Sequence, residues 1–239
     1  MFHFQKMKHE VGKYNDSTRE AWVAKVLKEI PPGSRILDAG AGEKIYEKHC
    51  LHLDYVSQDF CKYDGKGNEK GLQVGLWNPT SPDIISDITE IPEPNGSFEA
   101  IMCIEVFEHL PAPIRAIQEF YRLLKKNGLL IITAPFCSLT HFAPYHYYSG
   151  FNRYFYKTNV SMQGFEILEI TENGNYFEYI AQEVRRIPEV ARRYTGKPSG
   201  ILDYILIKLV LRMLNKYSKQ DNGSKEILNY GFFVKAIRR

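Results

Sequence analysis

The stretch that most constrains this chain is RILDAGAGE, residues 35–43. A short apolar run between Pro31-Pro32-Gly33 and a glycine-rich loop reads as a strand buried on both faces. Strands of that kind belong to parallel sheets covered by helices. The pattern recurs along the chain: LDYVS (53–57), PDIISDI (82–88), FEAIMCIE (98–105), LLIITAP (129–135) and GFEILEI (164–170) read as further strands, and YGFFVKAI (230–237) alternates as a last one. Between them AWVAKVLKEI (21–30), IRAIQEFYRLLKK (114–126) and FNRYFYKTNVSMQ (151–163) carry apolar residues at helical spacing, and IYEKHC (45–50) reads as a short helix. Ser17-Thr18-Arg19-Glu20 reads as a capping box and Asn127-Gly128 as a helix stop. This alternation predicts an α/β fold with a mainly parallel sheet. With 239 residues, one domain is expected, its core motifs within 17–170 and a helical insertion over 174–228 before the terminal strand.

Composition removes several function classes. A net charge of +3 is too small to argue for nucleic acid, and Arg185-Arg186 with Arg192-Arg193 reads as a solvated helix face. The four cysteines form no C-x-x-C pair, which fits a reduced, cytoplasmic setting. The opening MFHFQKMKHEVGKY lacks an apolar signal-peptide core, and no run reaches the ~18–20 apolar residues of a membrane span.

In a doubly wound sheet the ligand lies beyond the carboxyl ends of the strands, at the first strand–helix turn. Here that turn is Asp38-Ala39-Gly40-Ala41-Gly42-Glu43. The dinucleotide fingerprint needs glycine or alanine where this chain has Ile45, and Asp38 and Glu43 would repel a pyrophosphate. A cofactor without phosphate and with a cationic amino-acid tail suits the loop better, and S-adenosylmethionine has that character. Asp59, about 20 residues past the glycines, stands where an acid accepts ribose hydroxyls, with Asp54 as its rival. Asp87 at the next strand end is placed to accept from an adenine amino group, and Ile88 offers the ring an apolar edge and an N–H.

In order and spacing, ILDAGAG, SQDF, SDITEIP, GSFEAIMCIEVFEHLPAP and RLLKKNGLLIITAP resemble the motifs of the class I S-adenosylmethionine-dependent methyltransferases, in particular the small-molecule group that includes the ubiquinone-biosynthesis enzymes. The resemblance implies a Rossmann-like three-layer sandwich with a seven-stranded sheet, its last strand antiparallel. It also implies that Asp38, Gly40 and Gly42 contact the methionine moiety, Asp59 the ribose, Asp87 and Ile88 the adenine, and Glu105 the reactive end. Arg19 is the matching candidate for the methionine carboxylate, the alternative being a surface helix arginine. This chain departs from the family at Lys44, where another glycine is usual.

Methyl transfer to a hydroxyl requires loss of a proton, and His109 and Glu105 in CIEVFEHLP are the candidate catalytic groups. For His109 a structural, turn-capping role competes with a base, and no metal ligand is assigned, although E-x-x-E-H resembles relatives that bind a divalent ion. The aromatic segment PFCSLTHFAPYHYYSGFNRYF (135–155) is expected to supply the acceptor pocket through His146 and Tyr147, with Gly150 as a hinge. ILDYILIKLVLRML (201–214) is very apolar and is read as a sheet-covering or dimer-forming helix, the rival being attachment to a membrane surface. The expected activity is methyl transfer to a small polar acceptor, a hydroxyl of a sugar or other metabolite. A nicotinamide-dependent oxidoreductase and an inactive cofactor- or partner-binding domain are the alternatives.

Overall fold

Strand β1 (Arg35–Ala39) is fully buried from Ile36 onward and pairs in parallel with β2 (Asp54–Asp59) on one side and β4 (Phe98–Ile104) on the other. In the computed structural model, which describes residues 10–75, 77 and 81–239, β1 is an interior strand of a seven-stranded sheet. The sheet is completed by β3 (Ile84–Ile85), β5 (Leu124–Pro135), β6 (Phe165–Asn173) and β7 (Gly231–Arg238), in the order β3-β2-β1-β4-β5-β7-β6. The antiparallel strand is β7, inserted between β5 and β6, as the resemblance implies. Most of the opening segment lies outside the described residues.

The pleat sends alternate residues of each strand to opposite faces, and a separate core forms on each. On one, Ile36, Ala100, Met102 and Ile131 pack with Val23, Val26 and Leu27 of α1 (Asn15–Lys28). On the other, Leu37, Ile101, Cys103 and Ile132 pack with Ile117 and Phe120 of α2 (Pro113–Leu123) and Tyr156 and Val160 of α3 (Arg153–Met162). These are the three layers.

Four expectations shift for local physical reasons. The helix α1 begins at Asn15, so Ser17 lies inside its first turn and Glu20 pairs with Lys48 and His49 instead of closing a capping box. The stretch 45–50 forms only one 3-10 turn, Glu47–His49. The third strand shortens to Ile84–Ile85, with side-chain bonds taking the carboxylates on both sides: Asp83 accepts from the N–H and hydroxyl of Ser57 on β2, and Asp87 from the Thr89 N–H. Helix α2 ends at Leu123, and Asn127 (φ 63°) sits in a register shift of β5 against β4, so Asn127-Gly128 bends a strand instead of stopping a helix.

The chain divides into two compact units. The sheet with its helices comprises 18–173 and 231–239. The stretch 174–230, which contains the expected insertion, forms the other unit with the described residues 10–17. In it α4 (Tyr176–Thr195) is capped by Asn175, whose side chain accepts the Glu178 N–H, and ends at Gly196 in the left-handed conformation. Helix α5 (Ile201–Lys219) packs on α4 through Leu211 and Leu214, with Val11, Ala181 and Val184 in the same cluster. The buried Glu178 accepts from the Gly12 N–H, the Ser218 hydroxyl and the Tyr230 hydroxyl, so its desolvated charge is compensated. Along the chain the stretch 174–230 lies between β6 and β7, whose Asn173 and Gly231 are cross-strand partners.

Ile101 is fully buried in the middle of β4. Ile101→Ala is expected to lower unfolding free energy by about 2–5 kcal/mol, read from urea denaturation midpoints at constant m-value.

Candidate active site

The order of strands reverses between β1 and β4, and the crevice past their carboxyl ends is where such sheets bind ligands. The loop after β1 is tied to the end of β2. The N–H groups of Gly40 and Ala41 both donate to the Gln58 carbonyl at 2.9 Å, and the Gly42 N–H donates to Asp59 Oδ2 at 3.0 Å. Both glycines have positive φ, and a Cβ on Gly40 would stand 2.7 Å from a Val106 methyl, so no side chain fits there. Asp59 also accepts the Cys61 N–H through Oδ1. Its rival Asp54 starts β2, at the far end of the strand beside Arg35.

Asp38 is 3% exposed, and its Oδ2 accepts the Tyr55 hydroxyl at 2.7 Å. Burial pushes its pKa up to about 7, against the lowering effect of Tyr55. Asp87 lies two residues beyond β3, held by the Thr89 N–H and hydroxyl, and those bonds lower its pKa. Ile88 beside it is buried in the core.

Glu105 follows β4 with φ 56°; its Oε1 accepts the Thr133 hydroxyl at 2.8 Å and its Oε2 lies 3.2 Å from Arg19 Nη1. The structure thus brings two residues predicted separately into one ion pair, and Arg19 is not a surface residue. The 3-10 turn Phe107–His109 then presents Glu108 and His109. His109 Nδ1 lies 2.6 Å from the Tyr145 carbonyl oxygen, so Nδ1 carries the proton and donates. Its Nε2 is 3.7 Å from Glu108 Oε1, and His141 Nε2 is 3.9 Å from the same oxygen. Burial pushes His109 down to about 3, with His141 adding to the effect, while burial and then Glu105 hold Glu108 well above the ordinary carboxylate range. Burial therefore holds the His109 imidazole neutral, with its Nε2 lone pair unprotonated.

One potential ligand atom from each of Glu108, His109 and His141 lies within 4.8 Å of the others, and Glu108 Oε2 is buried with no hydrogen-bond partner among the described residues. Two imidazoles and a carboxylate suit Zn²⁺, Mn²⁺ or Fe²⁺ better than Mg²⁺. Glu105, engaged by Thr133 and Arg19, is not part of the trio, and His141 takes the place that the E-x-x-E-H pattern suggested for it.

His146 is adjacent, its ring 4.8 Å from that of His141 and its Nε2 3.2 Å from the Ser138 hydroxyl. Tyr147 donates its N–H to the Glu108 carbonyl and leaves its side chain half exposed. The sequence reading missed an aromatic stack. The His109 ring lies flat on Phe142 (4.9 Å, 15°) and Phe142 on Tyr63 (4.4 Å, 15°), while Trp77 meets Tyr63 and Phe142 edge-on and stands over Gly42. The stack runs from the glycine loop to the histidines. Its only sequence signal was aromatic richness in two stretches that otherwise read as loops.

A model of the methyltransferase domain family matches residues 7–157, and the chain belongs to that family. It is a class I, S-adenosylmethionine-dependent methyltransferase by family, in agreement with the resemblance read from its motifs. Among curated relatives, the tRNA (carboxymethyluridine(34)-5-O)-methyltransferase of Schizosaccharomyces pombe is 28% identical over 120 residues, 48% of this chain and 49% of the relative. A ubiquinone biosynthesis O-methyltransferase of Xylella fastidiosa is 30% identical over 108 residues, 42% of each chain. The chain thus spans about half or less of these relatives' length. The solved structure of a SAM dependent methyltransferase from Archaeoglobus fulgidus shares the fold, with a TM-score of 0.55 at 15% identity over 93% of this chain and 94% of that one.

A carboxyl whose folded pKa is raised binds a proton that the unfolded chain has already released, so its contribution to stability falls as pH rises toward the folded value. Asp38 should therefore make the ligand-free protein less stable between about pH 4 and about pH 7. Asp38→Asn is expected to flatten that slope and to raise stability at pH 8, measured by chemical denaturation across pH.

Proposed function

We propose that the chain transfers the methyl group of S-adenosylmethionine to a hydroxyl oxygen of a small polar acceptor. The observation that carries this reading is the convergence of Asp38, the Gly40–Gly42 loop, Asp59 and the Arg19–Glu105 pair at the ends of β1, β2 and β4. In this reading Asp38 receives the cofactor's ammonium group, Asp59 its ribose hydroxyls, and Asp87 and Ile88 its adenine. Arg19, oriented by Glu105, meets the methionine carboxylate. Carboxyls at these strand ends favour a sulfonium over a pyrophosphate, and the dinucleotide fingerprint stays unfulfilled at the exposed Ile45. The two curated relatives are both named as O-methyltransferases, which supports a hydroxyl acceptor.

Beyond the cofactor, His109, His141 and Glu108 face the acceptor side, and His146 and Tyr147 lie on the loop that borders it. A divalent cation held by the trio would polarise an acceptor hydroxyl and ease loss of its proton. The chain's own contribution is to fix the His109 tautomer through the Tyr145 carbonyl and to exclude water with the Trp77–Phe142–Tyr63 stack.

Calorimetric titration is expected to show S-adenosylhomocysteine binding, weakened by about 1–3 kcal/mol in Asp59→Ala; preferential binding of a nicotinamide dinucleotide would overturn the reading. Dialysis against a chelator is expected to leave cofactor affinity in place and to lower turnover on hydroxylated acceptors, with recovery on adding Zn²⁺ or Mn²⁺. Unchanged turnover removes the cation from the scheme. His146→Ala and Tyr147→Ala should raise the acceptor KM at constant cofactor Kd; native kinetics in both would place the acceptor pocket elsewhere.

A further inference from the structure

Helix α5 presents two faces that folding treats differently. Ile207, Leu211, Leu214 and Ser218, at spacings of three and four, are its buried or half-buried side. A second apolar stripe lies away from them: Leu202, Leu206, Leu209, Val210, Met213 and Tyr217 are 67%, 52%, 57%, 37%, 46% and 43% exposed. A helix that buries one stripe of a small unit ordinarily shows polar residues elsewhere, and a contiguous exposed apolar stripe marks a surface that something covers.

The charges beside the stripe define what covers it. Lys208, Arg212, Lys216 and Lys219, at spacings of three and four, run along one flank, all exposed and, among the described residues, in no ion pair. Arg192, Arg193 and Lys197 are exposed at the turn from α4. From 176 to 219 there are nine Lys and Arg against four Asp and Glu, a net +5 within a chain whose total is +3. No described helix is long and apolar enough to cross a membrane, but nineteen helical residues extend about 28 Å, enough to lie along one. A second copy of the chain would bring the same cations to the stripe and no balancing acids, since α5 holds only Asp203, which is occupied at the helix start by the Gly200 N–H.

We infer that α5 docks on an anionic lipid surface, its Leu202–Tyr217 stripe entering the headgroup boundary and its lysine–arginine flank meeting lipid phosphates. The inference is independent of the methyl-transfer chemistry. The test is co-sedimentation of the full chain with vesicles of equimolar phosphatidylglycerol and phosphatidylcholine, compared with phosphatidylcholine alone, at low and high salt. Binding is expected on the anionic vesicles only and should weaken with salt. Each cation removed is expected to weaken partitioning about five-fold, so Lys208→Ala with Arg212→Ala should lower it about 25-fold. Leu206→Glu with Leu209→Glu, at exposed positions that leave the circular dichroism spectrum unchanged, should abolish it. The inference fails if the native chain ignores anionic vesicles, or if binding survives Leu206→Glu with Leu209→Glu. It also fails if light scattering shows a dimer that this pair of substitutions dissociates while vesicle binding is absent.

Discussion

Two backbone N–H groups, those of Gly40 and Ala41, share a single acceptor, the carbonyl of Gln58. That bond pair pulls the loop after β1 across the end of β2, and the rest of the site follows from it. It brings the Gly42 N–H to Asp59 and turns Gly40 against Val106, the residue that follows Glu105. Without a bare Cα at Gly40, the segments after β1 and β4 could not approach, and Arg19, Glu105 and the His109 turn would lose their common floor. The N–H groups of Gly40, Ala41, Gly42 and Lys44 each find an oxygen, so the turn leaves these donors satisfied.

What was legible in the sequence was whatever a few adjacent residues decide. Buried parallel strands announce themselves as short apolar runs, so β1, β4 and β5 and the loop that ends β1 could be placed, and with them Asp38 and Asp59. Elements that depend on partners far along the chain could not. The pairing of Arg19 with Glu105 joins a helix to a strand end 86 residues on, and His141 meets Glu108 only because of the path taken by an irregular loop. Trp77 and Tyr63 stood in a stretch whose polar composition concealed a wall of rings. Side-chain bonds explain the short third strand: the carboxylate of Asp83 is taken by Ser57, 26 residues back, and that of Asp87 by Thr89 beside it, and β3 is only two residues long.

The site's charges also follow from burial. Asp38 and Glu108 are acids that water barely reaches, and His109 is an imidazole held neutral for the same reason. Groups in this condition respond to whatever cationic species enters, since an arriving positive charge repays the ionisation that desolvation opposes. Acids that burial holds toward the neutral form therefore lie beside the strand ends, with Arg19 a fixed cation near them.

The cross-strand pairing of Asn173 with Gly231 has a consequence for how this fold can change. To the sheet, everything from 174 to 230 is one hairpin connection, leaving and returning at neighbouring positions. The entropy of closing such a connection grows only with the logarithm of its length, about 0.6 kcal/mol for each doubling. Lengthening, trimming or exchanging that segment thus alters little in the register of β6 and β7. The sheet unit and the appended helices are therefore free to diverge at different rates.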